Sequence, residues 1–290
     1  MGPTASGKSA LAESIAEHYS AQLVNADAFM VYRGLDIGTA KPLEKDRYAL
    51  VDLLEPGDSS GLGAWLSRVR GVLTGLWSDR RSGVIVGGTG LHIRALFEGY
   101  SDVHPQPDPK LRCSLVQRES SEGPESLVSE LRAKAPEIAS KTDLANPVRV
   151  RRALEKLSSS RQEAPPSLPP FRMLKFGLQP PLEALEARIR ARVTEMFRAG
   201  WPEEVALLLR RGVSLGAPGM RAIGYRTVAR MLKGELSLNE AIDRVAIETR
   251  QYAKRQRTWL RSEPRLHLFQ GFGDSNAALR ACIELIDSDV

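Results

Sequence analysis

The stretch Gly2-Pro3-Thr4-Ala5-Ser6-Gly7-Lys8-Ser9 is a complete phosphate-binding motif of the form G-x-x-x-x-G-K-[ST]. A loop of this kind turns its backbone N–H groups towards phosphate oxygens, and the following helix adds the positive end of its dipole. Lys8 is expected to reach the terminal phosphate, and the Ser9 hydroxyl is expected to ligate Mg²⁺. Apolar or aromatic residues at positions 11, 15 and 19 predict that helix. The motif therefore predicts a site for a diphosphate or a triphosphate.

Only Met1 precedes this loop, whereas the motif normally follows a buried strand in the middle of a sheet. Such a strand contributes about five apolar side chains at ~1.5–3 kcal/mol each. Losing them would remove roughly 10 kcal/mol, which is the net stability of a typical domain. We therefore expect the natural chain to start upstream of Met1. Mass spectrometry of the native protein tests this expectation, and an intact Met1 on an active protein would refute it.

Composition and charge limit the number of domains, the partners and the cellular location that we expect. The 290 residues suggest two domains, and the charge of +6 with a pI near 9.4 is compatible with a polyanionic partner. No apolar run approaches the ~20 residues that a membrane span needs. Cys113 and Cys282 are far apart, and the four histidines share no spacing with them, so neither a disulfide framework nor zinc is expected. We predict a monomeric, cytoplasmic protein without a membrane segment.

Short apolar runs predict the strands of a parallel sheet at residues 23–24, 83–86, 173–178 and 266–269. Helical patterns alternate with these runs, which is typical of an open α/β fold, here a P-loop kinase-like parallel sheet core. Asp27 and Thr89 follow two of the strands directly. Ligands of such sheets collect at the carboxyl ends of the strands, so these two residues are the first candidates for a site beside the phosphate loop.

Each of these two residues has a second interpretation. Asp27 could ligate Mg²⁺, act as a general base or merely cap a turn, since aspartate commonly bonds to the backbone two residues on. Thr89 lies in Gly-Gly-Thr-Gly, which suits close approach to a ligand and an ordinary strand-to-helix turn equally well.

Prolines at 105, 107 and 109 and at 165, 166, 169 and 170 predict linkers around a helical segment. Asp108-Pro109 and Asn146-Pro147 each look like an N-cap followed by proline at the first helical position. We therefore predict three parts: residues 1–102 as the first part of the core, 103–171 as an all-helical insertion with three helical patterns, and 172–290 as the remaining core with C-terminal helices.

Basic residues form stripes on two predicted helices. One stripe, on the helix predicted over 239–261, is made by Arg250, Lys254, Arg257 and Arg261, and the other, at the end of the insertion, by Arg149, Arg152 and Lys156. A basic stripe is usually a solvated helix face. Two one-sided stripes with aromatic residues nearby also fit a clamp around the phosphates of RNA or DNA.

Eight sequence blocks, spread over nearly the whole chain, resemble the tRNA dimethylallyltransferases, also called tRNA isopentenyltransferases. The blocks are the phosphate loop at 2–9, Val31–Pro42, Gly87–Leu91, Asn146–Glu155, Arg188–Val193, Gly200 with Glu203–Val205, Ile223–Arg226 and Tyr252–Trp259. The resemblance implies transfer of a dimethylallyl group from dimethylallyl diphosphate to N6 of adenosine at position 37 of tRNA, beside the anticodon. It also implies that the adenine leaves its stack to enter the site.

The resemblance assigns roles to matching residues. Asp27 would accept the proton of the adenine amine, Thr89 would bond near the bridging oxygen, and Lys8 with Arg188 or Arg192 would neutralise the diphosphate. Residues implied in tRNA binding are Asp27, Ala28, Phe29, Met30, Thr89, Val148, Arg149, Val150, Arg151, Arg152, Arg221, Gly224, Tyr225, Arg226, Arg250, Lys254 and Arg257.

The chain departs from the family pattern beyond the missing strand. The family's Asp-Ser-x-Gln segment reads Asp27-Ala28-Phe29-Met30, so a hydroxyl and an amide that usually contact the target base are absent. Sites that read hydrogen bonds lose discrimination when one partner is lost, so weaker selection of the target base is expected. His92 replaces a usual tyrosine, and we expect only a packing change there.

Three other functions compete with this interpretation. A prenyltransferase acting on free adenine nucleotides would share the phosphate loop and Asp27 but would have little use for a basic clamp. An inactive tRNA-binding relative is suggested by the absent strand and by Met30. A small-molecule kinase would share the phosphate loop, although no acidic pair or short arginine-rich lid accompanies it here.

Overall fold

A computed structural model describes residues 1–98, 108–158, 168 and 171–288. The elements in chain order are α1 (Lys8–His18), β1 (Gln22–Asn25), β2 (Tyr48–Ala49), α2 (Leu62–Ser78), β3 (Gly83–Val86), α3 (Gly90–Phe97), α4 (Pro109–Glu122), α5 (Pro124–Lys134), α6 (Pro136–Lys141), α7 (Pro147–Leu157), β4 (Lys175–Leu178), α8 (Leu182–Arg198), α9 (Trp201–Arg210), α10 (Tyr225–Leu232), α11 (Leu238–Arg261), β5 (Leu266–Phe269) and α12 (Asn276–Ser288). They fall into two compact units, one of 1–60, 64–98, 168 and 171–288, the other of 61–63 and 108–158.

Parallel strands form the sheets of the first unit. Strands β2, β1 and β3 pair in that spatial order, and β4 pairs with β5 in a second ladder. The four predicted strands are confirmed. The two-residue strand β2 was not predicted, because so short a segment carries no periodic signal. The α/β class is thus the one that the alternating pattern indicated.

A cavity of about 760 Å³ lies between the edges of β3 and β4. Apolar side chains from both strands and from α1 and α12 line it, among them Val84, Phe176 and Leu11. Met1 pairs with β4 at its rim: the Met1 amino group donates to Phe176 O at 2.5 Å, and Leu178 N donates to Met1 O at 3.0 Å. These two bonds follow the pattern of a parallel ladder.

The largest apolar core of the first unit surrounds Trp201 and Tyr225, which pack edge to face at 5.5 Å. Gly38 lies against both rings, and a Cβ there would stand 2.3 Å from Trp201 Nε1. The loop of Gly38 is fixed by the Glu204 carboxylate. That group accepts hydrogen bonds from Asp36 N at 2.8 Å, Ile37 N at 2.7 Å, Gly38 N at 3.4 Å and the Tyr225 hydroxyl at 2.6 Å.

The second unit packs α4 to α7 around a core of its own. Its fully buried side chains include Leu115, Leu127, Leu131, Val150 and Leu154. The predicted caps are confirmed, since Asp108 accepts from Lys110 N and Asn146 accepts from Val148 N and Arg149 N. Four helices replace the three predicted patterns. Most of the proline-rich linkers lie at 99–107, 159–167 and 169–170, outside the described residues.

No helix in the described part of the chain is both long enough and apolar enough to cross a membrane.

Candidate active site

The phosphate loop has the backbone of an anion cradle. Ala5 and Gly7 both have positive φ, of 61° and 83°, and Gly7 directly precedes α1. Residues that alternate between right- and left-handed conformations turn successive N–H groups to one side, and such nests bind phosphate. Gly7 also touches the loop at 273–274, where a Cβ would stand 2.8 Å from Asp274 N, so a larger residue is excluded.

Lys8 and Arg192 bring two positive charges to this loop. The Lys8 ammonium donates to Pro3 O at 2.8 Å, and burial, reinforced by the nearby Arg192 charge, lowers the pKa of Lys8 to about 8. Burial also lowers the pKa of Arg192, whose guanidinium donates to Thr4 Oγ1 at 3.5 Å. Asp27 opposes both shifts through its negative charge. Two half-buried cations beside a nest have the charge and geometry that a diphosphate site needs.

Asp27 occupies the carboxyl end of β1 in a braced turn. Its Oδ1 accepts from Phe29 N at 2.9 Å, while the Asn25 side chain accepts from Asp27 N at 2.8 Å and donates to Asp27 O at 3.1 Å. The turn-capping role weighed for Asp27 is therefore present, and it fixes the carboxylate in place. Because Asp27 also lines a pocket, capping and chemistry are compatible.

That pocket, of about 250 Å³, joins residues from six segments of the chain. Its polar lining includes Thr4, Asp27, Arg192 and Tyr252, and Arg221 stands among the exposed residues at the wall. Its apolar lining is formed by Ala5, Phe29, Ile189, Val193, Met196, Trp201, Ala222, Ile223 and Val245. A carboxylate, guanidinium groups and an apolar wall thus face one pocket beside the phosphate loop.

Two residues of α11 near this pocket had no assigned role at the sequence level. The Tyr252 hydroxyl lies near the side chains of Thr89 and Gln256, and both act to lower its pKa. Burial, with the Asp27 charge, raises the pKa of Tyr252 to about 12, so the phenol keeps its proton. Gln256 is buried and bonds to the phosphate loop at Thr4 N and to Gly88 O. The sequence showed that Tyr252 and Gln256 lie on one stripe of a helix. It did not show which groups they contact.

The two candidate arginines of α8 differ in their surroundings. Arg192 lines the pocket, whereas Arg188 is not among its lining residues. Arg188 instead donates to the Asp274 carboxylate at 2.8 Å and lies 3.7 Å over the ring of Phe272. The geometry therefore favours Arg192 as the group that faces a bound diphosphate.

The residues predicted to bind tRNA differ in how far they are exposed to solvent. Tyr225 and Val150 are buried in the two cores, and Gly224 is buried under Trp201, so their side chains offer no surface to an RNA. A direct contact of these three residues with tRNA stays a prediction, and their observed place is in or beside the two cores. Exposed members of the set are Val148, Arg149, Arg221, Arg226, Arg250 and Lys254, and half-buried ones are Ala28, Phe29, Met30, Thr89, Arg151, Arg152 and Arg257.

Several of these arginines already have partners. In the second unit Arg149 pairs with Asp143 at 3.1 Å, Arg151 pairs with Glu119, and Arg152 pairs with Glu155 at 3.3 Å. In the first unit Arg250 lies 3.6 Å from Glu186, and Arg257 donates to Pro180 O at 2.7 Å. Exposed ion pairs contribute little and exchange readily, so the exposed guanidinium groups can still reach phosphates.

The residues also fit a magnesium ion that is held mainly by its substrate. Among the described residues no group of three or more His, Cys, Asp or Glu side chains could hold a metal alone. Ser9 is exposed in the first turn of α1, next to the cradle. Mg²⁺ commonly takes one or two protein ligands together with phosphate oxygens and water, and this arrangement suits Ser9.

Comparison with known proteins shows which family this chain belongs to. The sequence model described as IPP transferase matches residues 30–263. This chain belongs to the IPP transferase family. A tRNA dimethylallyltransferase of Thermomicrobium roseum is 38% identical over 269 residues, covering 90% of this chain and 82% of the relative. One from Allorhizobium ampelinum is 40% identical over 274 residues, covering 90% of each chain.

Solved structures of this family have the same fold. The tRNA isopentenylpyrophosphate transferase of Bacillus halodurans superposes with a TM-score of 0.72 at 29% identity, covering 99% of this chain and 94% of that one. A eukaryotic dimethylallyltransferase acting on tRNA gives a TM-score of 0.78 at 21% identity, covering 99% of this chain and 78% of that one. The predicted family and α/β class are therefore confirmed.

Proposed function

We propose that this protein transfers a dimethylallyl group from dimethylallyl diphosphate to N6 of adenosine 37 of tRNA, releasing diphosphate. The observation that carries the proposal is the shared pocket of Thr4, Asp27 and Arg192 beside the phosphate loop. A cation for the leaving group and a carboxylate for the nucleophile face the same space, as a transfer between two substrates requires. The family relatives named tRNA dimethylallyltransferase support the same reaction.

The diphosphate end of the donor would occupy the nest of the phosphate loop. Negative charge grows on the leaving oxygens as the allylic C–O bond breaks, and preorganised donors stabilise that charge. Lys8 and Arg192 would supply two half-buried cations, whose pKa values burial lowers, to these oxygens. Bound Mg²⁺, with Ser9 as its protein ligand, would supply further charge neutralisation at the same oxygens.

The dimethylallyl end would contact the apolar wall of the pocket. Ile189, Val193 and Val245 contribute branched aliphatic side chains to that wall. Burial there excludes water from the allylic carbon, which favours attack by the amine over hydrolysis.

The adenine amine would reach the pocket from the opposite side. Its lone pair is delocalised into the ring, so it is a weak nucleophile and gains from a base that takes its proton. Asp27 is held by the Phe29 amide and by Asn25 in a fixed orientation for that role. Thr89, near Tyr252, would donate to the bridging oxygen of the donor.

The anticodon stem-loop would lie across exposed basic residues of the first unit. Arg221 and Arg226 flank the turn into α10, and Arg250 and Lys254 lie on α11. Contacts of this kind hold RNA through its phosphates while the target base is splayed out of its stack.

The protein would act as a monomer in a reducing compartment such as the cytoplasm. Both cysteines are free, and Cys113 is exposed, which suits a compartment where thiols stay reduced.

The test is incubation with labelled dimethylallyl diphosphate, Mg²⁺ and unmodified tRNA, followed by nucleoside analysis, with AMP as an alternative acceptor. The expected product is N6-(dimethylallyl)adenosine in tRNA and none from AMP. Prenylated AMP would instead indicate an enzyme for free nucleotides, and tRNA binding without diphosphate release would indicate an inactive relative. Phosphoryl transfer from ATP to a small molecule would indicate a kinase.

A further inference from the structure

A single buried amide connects the two loops that carry the chemistry. The Oε1 atom of Gln256 accepts from Thr4 N at 2.7 Å, and its Nε2 group donates to Gly88 O at 3.0 Å. Thr4 belongs to the phosphate loop, and Gly88 directly precedes Thr89. The side chain is only 4% exposed, so water does not compete for either bond.

The direction of the amide follows from its partners. A backbone N–H can only donate and a carbonyl oxygen can only accept, so oxygen must face Thr4 and nitrogen must face Gly88. The contact at Gly88 is also close: a Cβ on that residue would stand 2.0 Å from Nε2. Glycine is therefore required for the amide to reach the loop.

We propose that Gln256 is a positioning residue that sets the distance between the diphosphate cradle and Thr89. The inference rests on the proposed transfer and adds a residue to it. Gln256 is not among the residues that line the pocket of Asp27 and Arg192. It acts through the two loops, and its own position is fixed because it extends from the 24-residue helix α11. Displacing a catalytic group by about 1 Å can cost about 100-fold in rate.

The two hydrogen bonds of the Gln256 side chain, to Thr4 N and to Gly88 O, form a bridge between the loops. Two variants of Gln256 and one control variant test the two bonds separately. Gln256→Glu keeps an acceptor for Thr4 N but loses the donor to Gly88 O while it is ionised. Gln256→Met has similar length and loses both bonds. Gln251→Met makes the same change at an exposed position of the same helix and is the control.

The measurements are kcat and KM for dimethylallyl diphosphate at saturating tRNA, and the Kd for inorganic diphosphate by calorimetry. Gln256→Glu should lower kcat by about 100-fold while diphosphate affinity stays within about threefold. Gln256→Met should lower kcat to a similar extent and also weaken diphosphate binding by about tenfold. Gln251→Met should resemble the parent. A role in stability alone would instead lower the melting temperature and scale kcat and affinity together in both variants.

A fall in pH should restore part of the activity of Gln256→Glu. A purely structural role of Gln256 would not produce this recovery. Burial raises the pKa of a glutamate at position 256, and the protonated acid regains a donor for Gly88 O. The ratio of Gln256→Glu to parent kcat should therefore rise by about tenfold as the pH falls from 9 to 6. If Gln256→Met does not fold, Gln256→Asn, whose amide is one methylene too short, takes its place.

The outcomes distinguish the two proposals. If the parent transfers no prenyl group, the proposed function fails, and the diphosphate affinities of the variants alone decide whether the bridge exists. If the parent is active and Gln256→Met retains its kcat, the bridge is refuted and the function stands. Equal diphosphate affinity in Gln256→Met and the parent also refutes the link to the phosphate loop.

Discussion

The lowered pKa of Lys8 predicts that diphosphate affinity falls steeply above pH 8. Only the ammonium form attracts the donor, and burial has brought its pKa from 10.5 to about 8. The charged fraction then drops by about 25-fold between pH 7.5 and 9.5, whereas an unshifted lysine would lose only about a tenth of its charge in that range. Affinity for diphosphate should fall by nearly the same factor.

Calorimetric titration with inorganic diphosphate across pH 7.5–9.5 measures this effect. Diphosphate itself titrates in the range, so Lys8→Arg is the matched control, because its guanidinium stays charged throughout. The ratio of parent to control affinity isolates the lysine. A ratio that stays within about twofold over the range would refute the proposed burial of the ammonium.

The same shift has a consequence for stability. A lysine whose folded pKa lies below its unfolded pKa destabilises the fold wherever it is charged in the unfolded state. The cost is complete below pH 8, is about 3 kcal/mol, and disappears as the pH rises through 10.5. Lys8→Met should therefore raise the free energy of unfolding near pH 7, measured by urea titration, while diphosphate binding is lost. An unchanged or lower stability would contradict this account.

Four further predictions concern other residues. Asp27→Asn, which keeps the shape of the turn, should lower the rate of prenyl transfer by about 100-fold or more with little change in diphosphate Kd; an unchanged single-turnover rate would refute its role as base. Gly38→Ala should lower the melting temperature strongly, because the added methyl would overlap Trp201, and a melting temperature equal to the parent's would show that the ring can move aside. Met30→Gln should increase the preference for the natural target base in competition assays with altered anticodon loops, and unchanged relative rates would contradict it. Lys254→Gln should reduce the salt dependence of tRNA binding by about one phosphate contact, and an unaltered salt slope would place Lys254 outside the RNA interface.

Features encoded by neighbouring residues were predictable from the sequence. The phosphate loop, the strand ends at Asp27 and Thr89, and the caps at Asp108 and Asn146 depend on a few adjacent side chains, and each has a recognisable local pattern. The structure places all of them as the pattern indicated.

Features that depend on distant contacts were not predictable in the same way. Gln256 lies 252 residues from Thr4, and its spacing on α11 indicates only that it shares a buried stripe. Tyr225 is a second example: its family block suggested a role at the RNA, and the position of its ring in the core was not visible in the sequence. A motif marks residues that matter without stating what each one touches. The choice between Arg188 and Arg192 likewise needed the position of Asp274, 86 residues beyond Arg188.

During synthesis, the loop at 36–38 is made long before the Glu204 carboxylate that later binds its amides. The bonds of this carboxylate to the amides of Asp36, Ile37 and Gly38 span 168, 167 and 166 residues. A ribosome adds about 5–20 residues each second, so these amides wait on the order of 10–30 s for their acceptor. Throughout that interval the nascent segment must rely on water or on chaperones for partners. The loop therefore settles only after most of the polypeptide has been translated.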